Sequence, residues 1–224
     1  NRLNHIFISH LHGDHCFGLM AVLSTLGLMK RTADIYIHAH PDLENLLQPH
    51  LRYFCNDLTY KIFFVPYNPL QSEIIYEDKS LTVTTIPLRH GIPTCGFLFK
   101  EKPQQLHIKR DMIDFYQVGI KDLNAIKDGK DYITNQGETI PNSFFTTPAS
   151  PQKSYAYCCD TAYSEKIIPI IEGVDCLYHD ATFAENEVLR AKKTLHSTAK
   201  QAATIASKAQ VKQLLLGHFS ARYP

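Results

Sequence analysis

Short apolar runs and longer segments of helical period alternate along this chain. Nine runs predict strands: His5–Ile8, Ala33–His38, Lys61–Val65, Glu73–Tyr76, Leu81–Pro87, Cys95–Phe99, Ser154–Cys159, Cys176–His179 and Gln213–Leu216. The alternation Leu81-Thr82-Val83-Thr84-Thr85-Ile86 is the clearest, because β-branched residues suit a pleated, half-buried surface. Helices are predicted over 15–29, from Pro41 to about Phe54, and over Glu165–Ile171, Ala184–Lys193 and Ser197–Gln210. Strands interleaved with helices in this way predict a layered α/β domain.

One stretch breaks the pattern. Residues 102–152 hold scattered lysines, Lys109-Arg110 and the turn-rich run Thr146-Thr147-Pro148-Ala149-Ser150-Pro151. Acidic residues nearly balance the basic ones there, as on a solvated surface insert. No repeats or low-complexity tracts are present.

At 224 residues, with 44% hydrophobic and 20% charged positions, the composition is that of one globular domain. No apolar run reaches the roughly 18 residues of a membrane span, and no basic-then-apolar leader suggests secretion. The net charge of +1 does not advertise a nucleic-acid binder, so any phosphate-binding surface must come from local patches. The six cysteines form no Cys-x-x-Cys pair and are expected to be free thiols in a reducing cytoplasm. Cys158 and Cys159 are expected on opposite faces of a strand.

The chemistry is concentrated at the start. After the run His5-Ile6-Phe7-Ile8 comes Ser9-His10-Leu11-His12-Gly13-Asp14-His15, with four potential metal ligands in six positions. Imidazole and carboxylate are the donors that borderline divalent metals accept. A loop leaving a strand end can aim several of them at one point, and Gly13 is expected to permit the bend.

This signature resembles that of the metallo-β-lactamase superfamily. The longer match, from Phe7 through His15 and on to Phe17-Gly18-Leu19, resembles the ribonuclease Z branch, the tRNA 3′-processing endonucleases. The resemblance implies a four-layer αββα sandwich spanning residues 1–224 as a single domain, with further terminal segments outside this chain.

It also implies the remaining ligands. His90 follows the Leu81–Pro87 strand and precedes a Gly-Ile-Pro turn; a lone histidine there is otherwise usually structural. Asp160 ends the Ser154–Cys159 strand and is otherwise an N-cap candidate; in the family this aspartate bridges two metals. His218 follows Leu214-Leu215-Leu216-Gly217 and opens His-Phe-Ser-Ala-Arg-Tyr, which is similar to the family's motif. By this carry-over His10, His12 and His90 hold one ion, and Asp14, His15 and His218 the second, with Asp160 shared. Two divalent ions are implied; zinc is the default, and manganese or iron suits the same donors. His5, His38, His40, His50 and His107 have no such context and are expected to be structural or on the surface.

Two further motifs separate this branch from its relatives. His179-Asp180-Ala181-Thr182 is similar to a family motif with glutamate in the second place. Leu195-His196-Ser197-Thr198 contains a candidate N-cap in Ser197. The resemblance implies that Asp180 orients His196, which then stabilises or protonates the reacting phosphodiester. Aspartate is one methylene shorter than the usual glutamate, so the contact must be reached by a small backbone shift or relaxed. Asp14 is a further candidate catalytic group, accepting a proton from the attacking water.

The implied activity is hydroxide attack on a phosphodiester, removing the 3′ trailer of precursor tRNA and leaving a 3′ hydroxyl. Residues 102–152 lie where the family inserts its RNA-binding arm, although the Gly- and Pro-rich tip is not obvious. The resemblance further implies a cytoplasmic homodimer. Two alternatives remain: a phosphodiesterase of the same superfamily acting on cyclic nucleotides or other small phosphodiesters, and a non-catalytic RNA-binding scaffold. The latter generally loses ligands, and every expected ligand is present here.

Overall fold

The computed structural model describes residues 3–223. Strand β1 (His5–Phe7) is followed by a single turn, α1 (Gly13–Cys16), then α2 (Gly18–Leu28), β2 (Ile35–Ala39), α3 (Asp42–Phe54) and β3 (Ile62–Pro66). β1 pairs with β2, and β2 with β3, all parallel. Leu19, Leu23 and Leu26 of α2 recur at helical spacing, as do Leu43, Leu47 and Leu51 of α3. Both stripes pack with Ile35 and Ile37 in one buried cluster. The continuous helix expected over 15–29 is interrupted at Phe17, beside Gly18, a weak helix former.

The second sheet begins with β4 (Ile74–Glu77), β5 (Leu81–Pro87) and β6 (Cys95–Glu101). Between β6 and β11 the chain builds β7 (His107–Ile108), α4 (Arg110–Phe115), α5 (Ile120–Lys127), β8 (Tyr132–Ile133), β9 (Thr139–Ile140), α6 (Asn142–Phe145) and β10 (Thr146–Thr147). It then returns as β11 (Ser154–Cys158), α7 (Ile168–Ile171), β12 (Cys176–Asp180), α8 (Val188–Thr194), α9 (Ala199–Lys208) and β13 (Gln213–Gly217). The sheet order is β13-β12-β11-β6-β5-β4. Ile171 of α7 and Ile205 and Ala206 of α9 pack against Ile86, Ala156 and Leu177 of this sheet.

The two sheets meet through aromatic side chains. The Phe7 ring lies 5.6 Å from Phe97 and 5.5 Å from Phe99, and His38 lies 5.9 Å from Tyr76. Helices, sheet, sheet and helices therefore stack as four layers. Gly96 in β6 is required by close approach: a Cβ there would sit 2.2 Å from the Tyr157 carbonyl of β11.

The chain divides into two compact units. One comprises Asn1–Asp78, Thr82–Lys100 and Ser154–Pro224; the other comprises Lys79–Leu81 and Glu101–Lys153. The smaller unit has its own buried cluster of Ile113, Val118, Ile126, Tyr132, Ile140 and Phe145, so it holds more apolar packing than a solvated insert needs.

All six cysteines are free, five of them buried. β11 stops at Cys158, so Cys159 lies in the following loop and the expected opposite-face placement does not arise. No helix among the described residues is long and apolar enough to cross a membrane.

Candidate metal and phosphodiester site

Strand register assembles the site. β11, β12 and β13 are parallel neighbours, pairing Cys158 with His179 and Asp180 with Gly217. Their C-terminal ends therefore finish at one edge, where Asp160, Asp180 and His218 emerge together. The loop after β1 brings His10, His12, Asp14 and His15 to the same place, and the loop after β5 brings His90.

Asp160 stands at the centre, almost fully buried. Its Oδ2 lies 3.5 Å from His10 Nε2 and 3.6 Å from His90 Nε2. Its Oδ1 lies 3.4 Å from His15 Nε2 and 3.1 Å from His218 Nε2. One carboxylate thus presents a different oxygen to each of two imidazole groups. His12 joins the first group, its Nδ1 3.3 Å from His90 Nε2. Asp14 joins the second, its Oδ2 3.5 Å from His15 Nε2. His10, His12, His90 and Asp160 converge within 4.8 Å, as do Asp14, His15 and His218.

These donors fit divalent cations. His10 Nε2 is buried with no hydrogen-bond partner, which is costly unless a cation takes its lone pair. The second nitrogen of several imidazoles is held from behind. Ser9 Oγ meets His10 Nδ1 at 3.0 Å. The Nδ1–H of His90 donates to the Leu195 carbonyl at 3.2 Å, and that of His218 donates to Thr182 Oγ1 at 2.8 Å. Such contacts fix the tautomer that leaves the ligating nitrogen free. Burial lowers the His15 and His90 pKa values, which favours the neutral, ligating form of both rings. Burial alone would raise the Asp160 carboxyl, but the surrounding imidazoles and the Cys159 thiol hydrogen bond outweigh it and hold the carboxyl below its usual range.

Asp180 and His196 adjoin this cluster. Asp180 is fully buried. Its Oδ2 accepts from His196 Nδ1–H at 2.7 Å and from the Thr161 N–H at 3.0 Å. Its Oδ1 accepts from the Thr182 N–H at 2.9 Å and Oγ1–H at 2.7 Å. With both oxygens so occupied, Asp180 is a poor metal ligand despite lying near Asp160, His196 and His218. The contact expected to need a small backbone shift or to relax for an aspartate is made at 2.7 Å and is not relaxed. Burial lowers the His196 pKa, but the Asp180 hydrogen bond and charge more than offset this and raise it. The His196 ring centroid lies 5.1 Å from His90 and 5.2 Å from His218.

The backbone at the site is strained. Asp160, Leu195 and His218 all adopt positive φ, at 58°, 60° and 61°. Non-glycine residues held there cost about 1–3 kcal/mol each and gather at functional sites.

Some expectations require correction. Asp160 does not cap a helix; its carboxylate faces the imidazoles. The α9 cap is Thr198, whose Oγ1 accepts from the Gln201 N–H at 3.2 Å while Gln201 Oε1 accepts from the Thr198 N–H at 3.0 Å. Ser197 Oγ instead donates to the Thr161 carbonyl at 2.6 Å, tying the His196 loop to the Asp160 loop. Gly13 opens α1 with no left-handed backbone; a Cβ there would meet the Phe17 ring. His5 and His38 lie in the aromatic layer between the sheets. Ser9, Thr182 and Leu195 were not singled out, although all three stand inside the motifs; hydroxyls and a carbonyl carry no ligand signal of their own.

Comparison with known proteins bears on the family and the fold. A family model described as a beta-lactamase superfamily domain matches residues 1–108 and 126–219. The ribonuclease Z of Phocaeicola vulgatus is 59% identical over 222 residues, covering 99% of this chain and 72% of its own length. That of Bacteroides fragilis is 57% identical, covering 100% of this chain and 73% of its own length. Among solved structures, human tRNase Z short form superposes with a TM-score of 0.65 at 23% identity, over 99% of this chain and 74% of that one. A long-form RNase Z from yeast gives 0.66 at 17% identity, over 99% of this chain and 29% of that one. At these identities the two structures speak for the fold.

Proposed function

The chain belongs to the ribonuclease Z family of the β-lactamase superfamily, and from that premise we propose how its residues divide the work of cutting a precursor tRNA. The protein is a metal-dependent endonuclease that removes the 3′ trailer of precursor tRNA, as its relatives' name and the superfamily fold support. The small-molecule phosphodiesterase alternative is not favoured, because curated relatives at 48–59% identity are ribonucleases Z.

His10, His12 and His90 would hold one divalent ion and Asp14, His15 and His218 the other, with Asp160 shared between them. Zinc is the proposed metal on the chemistry of this donor set. Ions bound there supply an activated water and offset negative charge on the phosphate oxygens. Asp14, exposed at the rim, is placed to accept a proton from the attacking water. Asp180 holds His196 in one tautomer and favours its protonated form. His196 then donates a proton to the leaving 3′ oxygen, so that the tRNA ends in a 3′ hydroxyl. The single observation that carries this division is the 2.7 Å pairing of His196 with a buried carboxylate beside the ligand cluster.

The unit of residues 101–153 is the proposed RNA-binding arm. A homodimer is proposed on the exposed apolar side chains of α2 and α3 and the residues just beyond them, among them Val22, Leu28, Leu46 and Tyr53. A cytoplasmic setting is supported by the free thiols. His196→Ala tests the assignment: turnover of a 3′-extended precursor should collapse while both metal ions remain bound. Unchanged turnover would refute it.

A further inference from the structure

We infer that the cleft beside His90 receives the single-stranded trailer of the precursor, with Arg89 and Lys166 gripping its backbone phosphates. The inference rests on the function proposed above. The cleft has a volume of about 740 Å³ and is lined in part by His90 itself, so it adjoins the proposed metal site.

Its two cations stand close in the chain to two candidate ligands. Arg89 immediately precedes His90, and Lys166 follows Asp160 in the next turn of chain. The Arg89 backbone is fixed on both sides: its N–H donates to Thr161 Oγ1 at 3.2 Å, and its carbonyl accepts from the Ala162 N–H at 2.8 Å. The guanidinium therefore extends from a rigid point one residue from a metal ligand. Among the described residues neither cation has an acidic partner, in contrast to Lys208 and Lys212, which pair with Glu165 and Asp175. Exposed and unneutralised, both are available to phosphate.

The remaining walls are mostly apolar, with Leu88, Ile92, Pro93 and Ile170 among them, and carry the three hydroxyl residues Ser72, Thr94 and Ser164. Cations that follow a backbone beside mostly apolar walls suit unpaired RNA, gripped through its phosphates more than through its base edges. A double helix does not enter a cleft of this size, so the acceptor stem stays outside it. The trailer is the unpaired strand at the scissile bond.

The test compares two precursors that differ only in trailer length, one nucleotide against six, cut by the metal-loaded full chain and by its R89Q/K166Q variant. Both side chains are exposed, so the fold should survive their replacement. The ratio of kcat/KM for the long trailer to that for the short one should fall on the order of tenfold, through KM. The slope of log kcat/KM against log salt for the long trailer should become shallower by about 1–2. An unmoved ratio would overturn the inference. Equal losses on both precursors would also overturn it, assigning the cations to the tRNA body. If the unaltered protein cut neither precursor, the functional reading would fall first and this inference with it.

Discussion

Asp180 and His218 are joined through Thr182: the Thr182 hydroxyl donates to Asp180 Oδ1 at 2.7 Å and accepts from His218 Nδ1–H at 2.8 Å. The same carboxylate accepts from His196 through its other oxygen. One buried aspartate thus orients a metal-ligand candidate and the proposed acid together, so damage to it should reach both.

Asp180→Asn keeps the volume but removes the charge. The His196 pKa should fall, since burial is then opposed by less. Turnover should drop by a factor of roughly 10²–10⁴, with a smaller loss of metal affinity through Thr182 and His218. Kinetics alongside metal titration separate the two effects.

Asp180→Glu restores the residue usual in the family yet should harm this chain. The slot is fully buried and every carboxylate contact is already made. An extra methylene there should destabilise by about 1–3 kcal/mol, read as a lowered denaturation midpoint. Equal or greater stability would show that the slot has room.

Metal removal should lower the melting temperature as well as abolish activity, because ligation stabilises only the folded state. His10 Nε2, buried and unpartnered among the described residues, is the atom most exposed to that loss. Asp160→Ala, which removes the shared carboxylate, should weaken both ions at once, whereas His12→Ala should weaken one. Metal counts on the purified variants distinguish these patterns.

His38 should make stability pH-dependent. It is buried between the sheets, and burial followed by the nearby His5 lowers its pKa to about 4. At pH 7 it is neutral folded or unfolded. As the pH falls through about 6.5 the unfolded chain binds a proton that the folded one refuses, so stability declines until about pH 4 and then levels off. The full effect is on the order of 3 kcal/mol. His5, Phe7 and Tyr76 face this ring. His38→Phe should flatten the acid limb of a denaturation series; an unchanged limb would place the effect elsewhere.

The layered architecture and the opening His10–His15 cluster were legible because both rest on local signals, whereas His90, Asp160 and His218 were implied by the family resemblance. Strand periodicity marked every strand of the two sheets to within a few residues, and each candidate ligand stands just after an apolar run ends. The contacts behind the ligands were not legible. That Thr182 serves His218, or that the Leu195 carbonyl serves His90 across more than a hundred residues, depends on tertiary register and not on residue type. The left-handed backbone at Asp160 and His218 was equally hidden, since neither is glycine. The Thr198-x-x-Gln201 capping box is a local signal, one residue beyond the Ser197 cap that was expected. The core of the 101–153 unit escaped because its elements are too short to impose a period.

The most direct measurement is cleavage of a 3′-extended precursor tRNA by the metal-loaded protein, with and without chelator, beside a small aryl phosphodiester. Metal-dependent cutting at the base of the trailer, lost in His196→Ala with both ions retained, is the predicted result. Turnover of the small ester with the precursor left intact would contradict the account.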